Sequence, residues 1–294
     1  MSFDINRIQK SARKVSQFLR KNAKSPSANA VHDLRTSSRS LESTFTTLGL
    51  DSKKDVRRLL RDLGKIRKRA GKVRDMDVLT EDALTLKPGD EKHCFVQLLK
   101  HLGARRNKYA KKLRREIELE TPQLRRSLER NSKRLEKVLK EAKDNPRDSS
   151  AAITTKATIV KLYAQLKTPA RLTRTNLHPY RLKVKELRNV LQWAEQPGDT
   201  KFLEKLGEVK DAIGEWHDWE ELVSIASQLL DHGEECRLIR KLKSTSDSKY
   251  EHALALTADL RKHHLNLNGE HPQQGSSPAV QPTPDSVTGV STNA

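Results

Sequence analysis

The chain has 294 residues, of which 34% are hydrophobic, only 4% aromatic and 33% charged. Lys and Arg number 58 against 38 Asp and Glu, a formal net charge of +20. That profile argues against a β-sandwich or a doubly wound sheet, which need β-branched and aromatic runs, and so large a cation excess points to an anionic partner: nucleic acid, a phosphate polymer or an anionic membrane surface.

The opening MSFDINRIQK carries an acid and no apolar run of the secretory kind, and no stretch approaches the ~20 apolar residues of a membrane-spanning helix. Cys94 and Cys236 are too few and too far apart for a disulfide framework or a zinc ribbon. A cytoplasmic chain with no membrane contact, metal or cofactor is therefore expected.

From Ser2 to His264 the pattern predicts helix after helix, an all-α fold. Breaks are expected at Lys24-Ser25-Pro26, Gly49-Leu50-Asp51, Lys87-Pro88-Gly89-Asp90, Thr121-Pro122, Asp144-Asn145-Pro146, Thr168-Pro169, Gln196-Pro197-Gly198-Asp199 and His232-Gly233. These breaks predict about ten helices, assigned to one helical domain over residues 1–265. Residues 266–294, rich in Pro, Ser, Gln and Thr and without a Lys or Arg, are expected to be a disordered tail.

An internal repeat organises the helical part. Val31-His32-Asp33-Leu34-Arg35, with Arg39 and Leu41, aligns with Leu177-His178-Pro179-Tyr180-Arg181, Lys185 and Leu187. Leu63-Gly64-Lys65-Ile66-Arg67, Gly71, Asp75-Met76-Asp77 and Leu79 align with Leu206-Gly207-Glu208-Val209-Lys210, Gly214, Asp218-Trp219-Glu220 and Leu222. A weaker block sets Lys108-Tyr109 and Leu113 over Lys249-Tyr250 and Leu254. The blocks keep their order, which predicts two similar halves of about five to six helices each, residues 1–145 and 151–265.

At about 100° per residue, His32, Arg35 and Arg39 fall within an arc of roughly 60°. Leu34, Leu41, Phe45 and Leu48 lie well away from them on the core side. The second copy repeats the division, with His178, Arg181, Lys185 and Arg188 on one arc and Tyr180, Val184, Leu187 and Leu191 on the other. Arg offers planar, often bidentate contacts to phosphate oxygens and Lys a compact charge. A histidine at the head of each line is placed to donate to the same anion. Protonation of His32 and His178 is expected to strengthen anion binding as pH falls toward 6.

Asp75-Met76-Asp77 and Asp218-Trp219-Glu220 place two carboxylates at i and i+2, which point in different directions on a helix and do not make one ligand site. Asp75 and Asp218 are expected to orient basic neighbours across helices. The dipeptides His32-Asp33 and His217-Asp218 also occur in metal-dependent phosphohydrolases, yet their repeat equivalents are His178-Pro179 and Arg74-Asp75. No Gly-rich phosphate loop of the Walker type is present.

VHDLRTSSRSLESTF followed by GKVRDMDVL, and LHPYRLKVKELRNVL followed by LGEVKDAIGEWHDWEEL, resemble the paired signatures of the CHAD domain, the conserved histidine α-helical domain. The resemblance covers about residues 5 to 264. It implies two pseudo-symmetric antiparallel helical bundles with a basic surface and central channel. It further implies binding of inorganic polyphosphate and association with polyphosphate granules. By the same resemblance His32, Arg35, Arg39, His178, Arg181, Lys185 and Arg188 are the first candidates for phosphate contact, with Lys108, Lys183 and Lys249 as weaker ones. Ser40 and Glu42 depart from the family pattern, so the first half is expected to contribute less charge. The alternating glutamates of a triphosphate-tunnel hydrolase are lacking, so the resemblance is to the stand-alone, non-catalytic form.

Two other readings compete. A nucleic-acid backbone binder would use the same cations, although the sparse aromatics weaken a single-strand channel with stacking platforms. A metal-dependent phosphohydrolase would reveal itself by phosphate release with a divalent ion.

Overall fold

The structure, a computed structural model, describes residues 5–21, 26–86, 92–144, 150–194, 200–231 and 236–265. The expected tail, and the expected breaks or parts of them at 24–25, 87–90, 145–146, 196–199 and 232–233, lie outside the described residues.

The described residues form helices and their connections, with no strand among them. In chain order these are α1 (Ile5–Lys21), α2 (Ala28–Thr47), a 3-10 turn (Leu50–Ser52), α3 (Lys54–Leu84), α4 (Lys92–Asp144), α5 (Ser150–Lys167), α6 (Arg174–Trp193), α7 (Thr200–Leu229) and α8 (Arg237–His264). Eight α-helices among the described residues, four before residue 145 and four after it, correct the expectation of about ten. One helix of the excess came from reading Pro122 as a stop.

Instead α4 continues through Pro122 for 53 residues. A proline inside a helix loses one backbone hydrogen bond and costs about 3 kcal/mol. Here the ring is exposed, while Leu113 and Ile117 before it and Leu124, Leu128, Leu135 and Leu139 after it are all buried. Their spacing keeps one helical phase across the proline, and burying a leucine contributes about 1.5–3 kcal/mol. Packing on both sides therefore outweighs the local break.

Local chemistry sets the ends of the helices that carry the candidate site. Ser27 caps α2, its Oγ accepting from the Ala30 N–H at 3.2 Å. After α2 the chain turns at Gly49, whose φ of +68° is open to glycine without strain. At the start of α6 the Asn176 side chain accepts from the Thr173 N–H at 2.8 Å.

The main contacts run between α3 and α4, α7 and α8, α6 and α7, and α2 with α1 and α3. Two core clusters result, and each draws on both halves of the sequence. The larger contains Leu34, Phe45, Leu63 and Ile66 together with Leu177, Leu187, Val209 and Ile213. The smaller joins Met76, Leu79 and Leu98 to Trp219, Leu222 and Leu242. On α3 the change from one cluster to the other falls between Val73 and Met76, and on α7 between Trp216 and Trp219. The residues at these crossings are polar: Arg74, Asp75, His217 and Asp218.

Candidate anion-binding site

Helix α2 packs on α3 and α6, α6 packs on α7, and α3 meets α7. This arrangement brings the two predicted basic stripes together. Lys185 on α6 lies in the field of Arg35 and Arg39 from α2, Arg181 from its own helix and Lys210 from α7. Burial and those four like charges hold its ammonium down to about 7, from the ordinary 10.5. Burial, and then Arg35, lower Arg39, against a partial opposing effect of Glu186. Arg67 of α3 is pushed down to about 10 by burial and by Arg39 and Arg35. Cations from four helices thus converge in a partly buried place.

Acids offset part of this charge, Lys210 pairing with Asp211 at 2.7 Å, but none acts on Lys185. Arg35 Nη1 donates to Asp75 Oδ1 at 2.8 Å, the cross-helix orienting contact expected for Asp75. Asp218 acts on Arg181, while burial raises its own carboxyl to about 7. Glu42 pairs with Arg67, with Nη2 to Oε1 at 3.0 Å.

Glycines on α7 seat the arginines of α6. Arg181 Nε donates to the Lys210 carbonyl at 2.9 Å, and Arg188 Nε to the Leu203 carbonyl at 3.3 Å. Each carbonyl lies four residues before a glycine, Gly214 and Gly207 respectively, so the bare backbone there opens a notch one helical turn from the acceptor. A Cβ at Gly214 would stand 2.8 Å from Arg181 Cζ and 2.9 Å from its Nε, and one at Gly207 3.3 Å from Arg188 Nε. In the first half Arg35 lies over Gly71 more loosely, at 3.8 Å, and nothing comes within 4 Å of Gly64. The repeat places Glu42 where Arg188 would be, so that notch has no arginine.

The histidines frame the cluster as neutral groups. His178 is pushed down to about 4 by burial, His217, Arg181 and Arg39, and its Nδ1 is buried with no hydrogen-bond partner among the described residues. Its ring centroid is 4.1 Å from that of His217. His32 is exposed, and burial of part of its ring with the Arg74 charge lowers it.

The structure gathers Arg35, Arg39, Arg181 and Lys185, with His32, His178 and Arg188 beside them. The weaker candidates stand apart. Lys249 is ion-paired with Glu215 at 2.7 Å, Lys183 with Glu186 at 3.9 Å, and Lys108 is exposed on α4. Arg67, Arg74, Lys210 and His217 join the cluster without having been singled out. For Arg67 and Lys210 a signal existed, since the repeat aligns them as basic residues in both halves. In the two HD dipeptides, Asp33 pairs with Lys14 at 2.9 Å, while His217 lies tilted against His178 at the cluster. Among the described residues no group of three His, Cys, Asp or Glu side chains could hold a metal ion, and no helix is long and apolar enough to cross a membrane.

An all-helical protein with a convergent cation cluster is the class that these features define. Residues 8–267 match the model of the CHAD domain, and the chain belongs to that family. Among solved structures it is similar to PptA from Streptomyces chartreusis, at 14% identity and a TM-score of 0.63 over 89% of this chain and 100% of that one. It is also similar to the CHAD domain from the plant Ricinus communis, at 16% identity and a TM-score of 0.58 over 90% and 88%. Both likenesses concern the fold. No curated protein matches the chain in sequence.

Proposed function

We propose that this protein is a non-catalytic receptor for inorganic polyphosphate, held at the cluster of Arg35, Arg39, Arg181 and Lys185 and able to bring the chain to polyphosphate granules. The observation that carries the reading is the convergence of Arg35, Arg39, Arg67, Arg181, Lys185 and Lys210 from four packed helices, which with burial lowers the proton affinity of Lys185, Arg39 and Arg67. Lys185 stands among like charges with no acid acting on it, an arrangement that an anion completes. Polyphosphate suits it because each phosphate neutralised releases counterions and no base needs a stacking partner. Membership of the family supports the same ligand, and the two halves act as pseudo-symmetric contributors to one channel.

The test is binding of long-chain polyphosphate with duplex DNA and RNA as competitors, with phosphate release followed in the same samples. Polyphosphate that nucleic acid does not displace from the cluster, with no release, supports the reading. Release that depends on Mg²⁺ or Mn²⁺ would replace it by a phosphohydrolase.

The pH dependence should follow Lys185 more than the histidines. Near neutrality the free protein holds this amine partly uncharged. A bound polyanion restores the ammonium, so binding takes up a proton above pH 7 and affinity falls as pH rises from about 7 toward 10. The free fold shows the opposite trend from this group. Its folded pKa lies below the unfolded 10.5, so the unfolded chain binds more protons between about 7 and 10.5 and stability rises across that window. Affinity that stays flat from pH 7 to 10 would remove Lys185 from the site. Because burial places His178 near 4 in the free protein, the strengthening expected from this histidine toward pH 6 moves to lower pH, and the dependence above pH 7 comes from Lys185.

A further inference from the structure

Away from the cluster, the outer face of α4 carries a second concentration of charge. At about 100° per residue, Lys108, Lys111, Lys112 and Arg115 fall within about 60° of one line along the helix, and all four are exposed. Beyond residue 122 the same line continues through Arg126, Arg130, Lys133, Lys137 and Lys140, also exposed. Glu118 and Glu136 stand outside the line, and Glu129, at the azimuth of Lys111, stands at its edge. Between the two groups the line bears Leu119, which is 72% exposed, and Pro122. Ion pairs among the described residues engage only Lys133, with Glu129 at 3.4 Å, and Lys137, with Glu141 at 3.9 Å. The opposite face of α4 is the buried leucine stripe that carries the helix through Pro122.

We propose that this ridge binds the phosphate backbone of double-stranded nucleic acid, at a site separate from the cation cluster. At 1.5 Å per residue the two basic groups are centred about 32 Å apart, close to the 34–36 Å of one duplex turn. A duplex lying along α4 therefore presents the same face to both. A convex line is reached from one side only, which gives little to a flexible chain that must be ordered on it, whereas a stiff duplex already holds its phosphates in a regular array. A flat anionic bilayer would press against the marginal acids as well, and the line offers it one large apolar side chain, Leu119. The crest carries no aromatic ring on which single-stranded bases could stack. Contact is to phosphates alone, so binding is independent of base sequence.

The inference stands apart from the polyphosphate reading and is tested separately from it. The ridge variant Lys112→Gln, Arg115→Gln, Arg126→Gln, Arg130→Gln, Lys133→Gln, Lys137→Gln changes exposed residues only, and circular dichroism checks that it folds. Its affinity for a duplex of about 20 base pairs should fall at least ~100-fold at ~0.15 M salt, with the slope of log K against log salt reduced by about 5. Short-chain polyphosphate should bind it as it binds the unmodified protein. Conversely, Arg35→Gln, Arg39→Gln, Arg181→Gln, Lys185→Gln should retain duplex affinity within about threefold. A duplex of about 8 base pairs, shorter than one turn, reaches one basic group and should bind far more weakly. The proposal is overturned by unchanged duplex affinity in the folded ridge variant, by loss of duplex binding in the cluster variant, by equal affinity for both duplex lengths, or by ridge charges that govern binding to phosphatidylserine vesicles and not to duplex. Absence of polyphosphate binding in the unmodified protein would defeat the polyphosphate reading alone.

Discussion

Changing Arg35, Arg39, Arg181 and Lys185 together to Gln should abolish polyphosphate binding and leave the protein folded. Hydrogen bonds to charged groups contribute about 1.5–3 kcal/mol each, so four lost contacts weaken Kd by at least ~10³-fold, at about 1.4 kcal/mol per tenfold. Ordinary binding residues lend stability to a fold, and their removal lowers Tm. These four repel one another, with burial opposing their charge in Arg39, Arg181 and Lys185. Lost repulsion offsets the lost Arg35–Asp75 pair and the Arg181 contact to the Lys210 carbonyl. Tm should stay level or rise. Calorimetry with polyphosphate and a melting curve on the same samples decide it; a folded variant that binds within tenfold of the unmodified protein would sink the site assignment.

The second large effect comes from a single methyl group. Gly214→Ala places a Cβ against the Arg181 guanidinium, at 2.8 Å from Cζ, and drives the side chain off the Lys210 carbonyl. Loss of one such anchored charge should weaken polyphosphate binding ~10–100-fold. The helix itself is favoured by the change, since Ala exceeds Gly by about 0.8–1 kcal/mol in a helix interior, so stability should not fall in proportion. Gly71→Ala is the control: its nearest contact, Arg35, lies at an ordinary 3.8 Å. That variant should be as stable or more so and keep its affinity within about twofold. Equal loss of binding in both variants would show that the arginines are not seated by the glycine notches.

The glycines also show how far the sequence could be read. The repeat put Gly71 over Gly214 and Gly64 over Gly207, and the basic stripes His32-Arg35-Arg39 and His178-Arg181-Lys185 followed from helical spacing alone. Which way the stripes faced depended on α2 packing against α6, a contact between halves that no periodicity encodes. For the same reason Arg67 and Lys210, basic in both copies, could not be assigned to the cluster from their own helices. Pro122 misled because a local rule was applied where the leucine stripe on both sides kept one phase. Glu42 was legible as a departure from the family pattern, but its partner Arg67 became apparent only in three dimensions.

The most direct test of the central claim is the titration of Lys185 Nζ by NMR, in the free protein and with polyphosphate bound. Burial, with the convergence of Arg39, Arg181, Arg35 and Lys210 on this amine, predicts a free pKa of about 7 and an upward shift when polyphosphate binds. A lysine that titrates near its ordinary 10.5 in the free protein, or one unmoved by saturating polyphosphate, would contradict a polyphosphate site at the cluster.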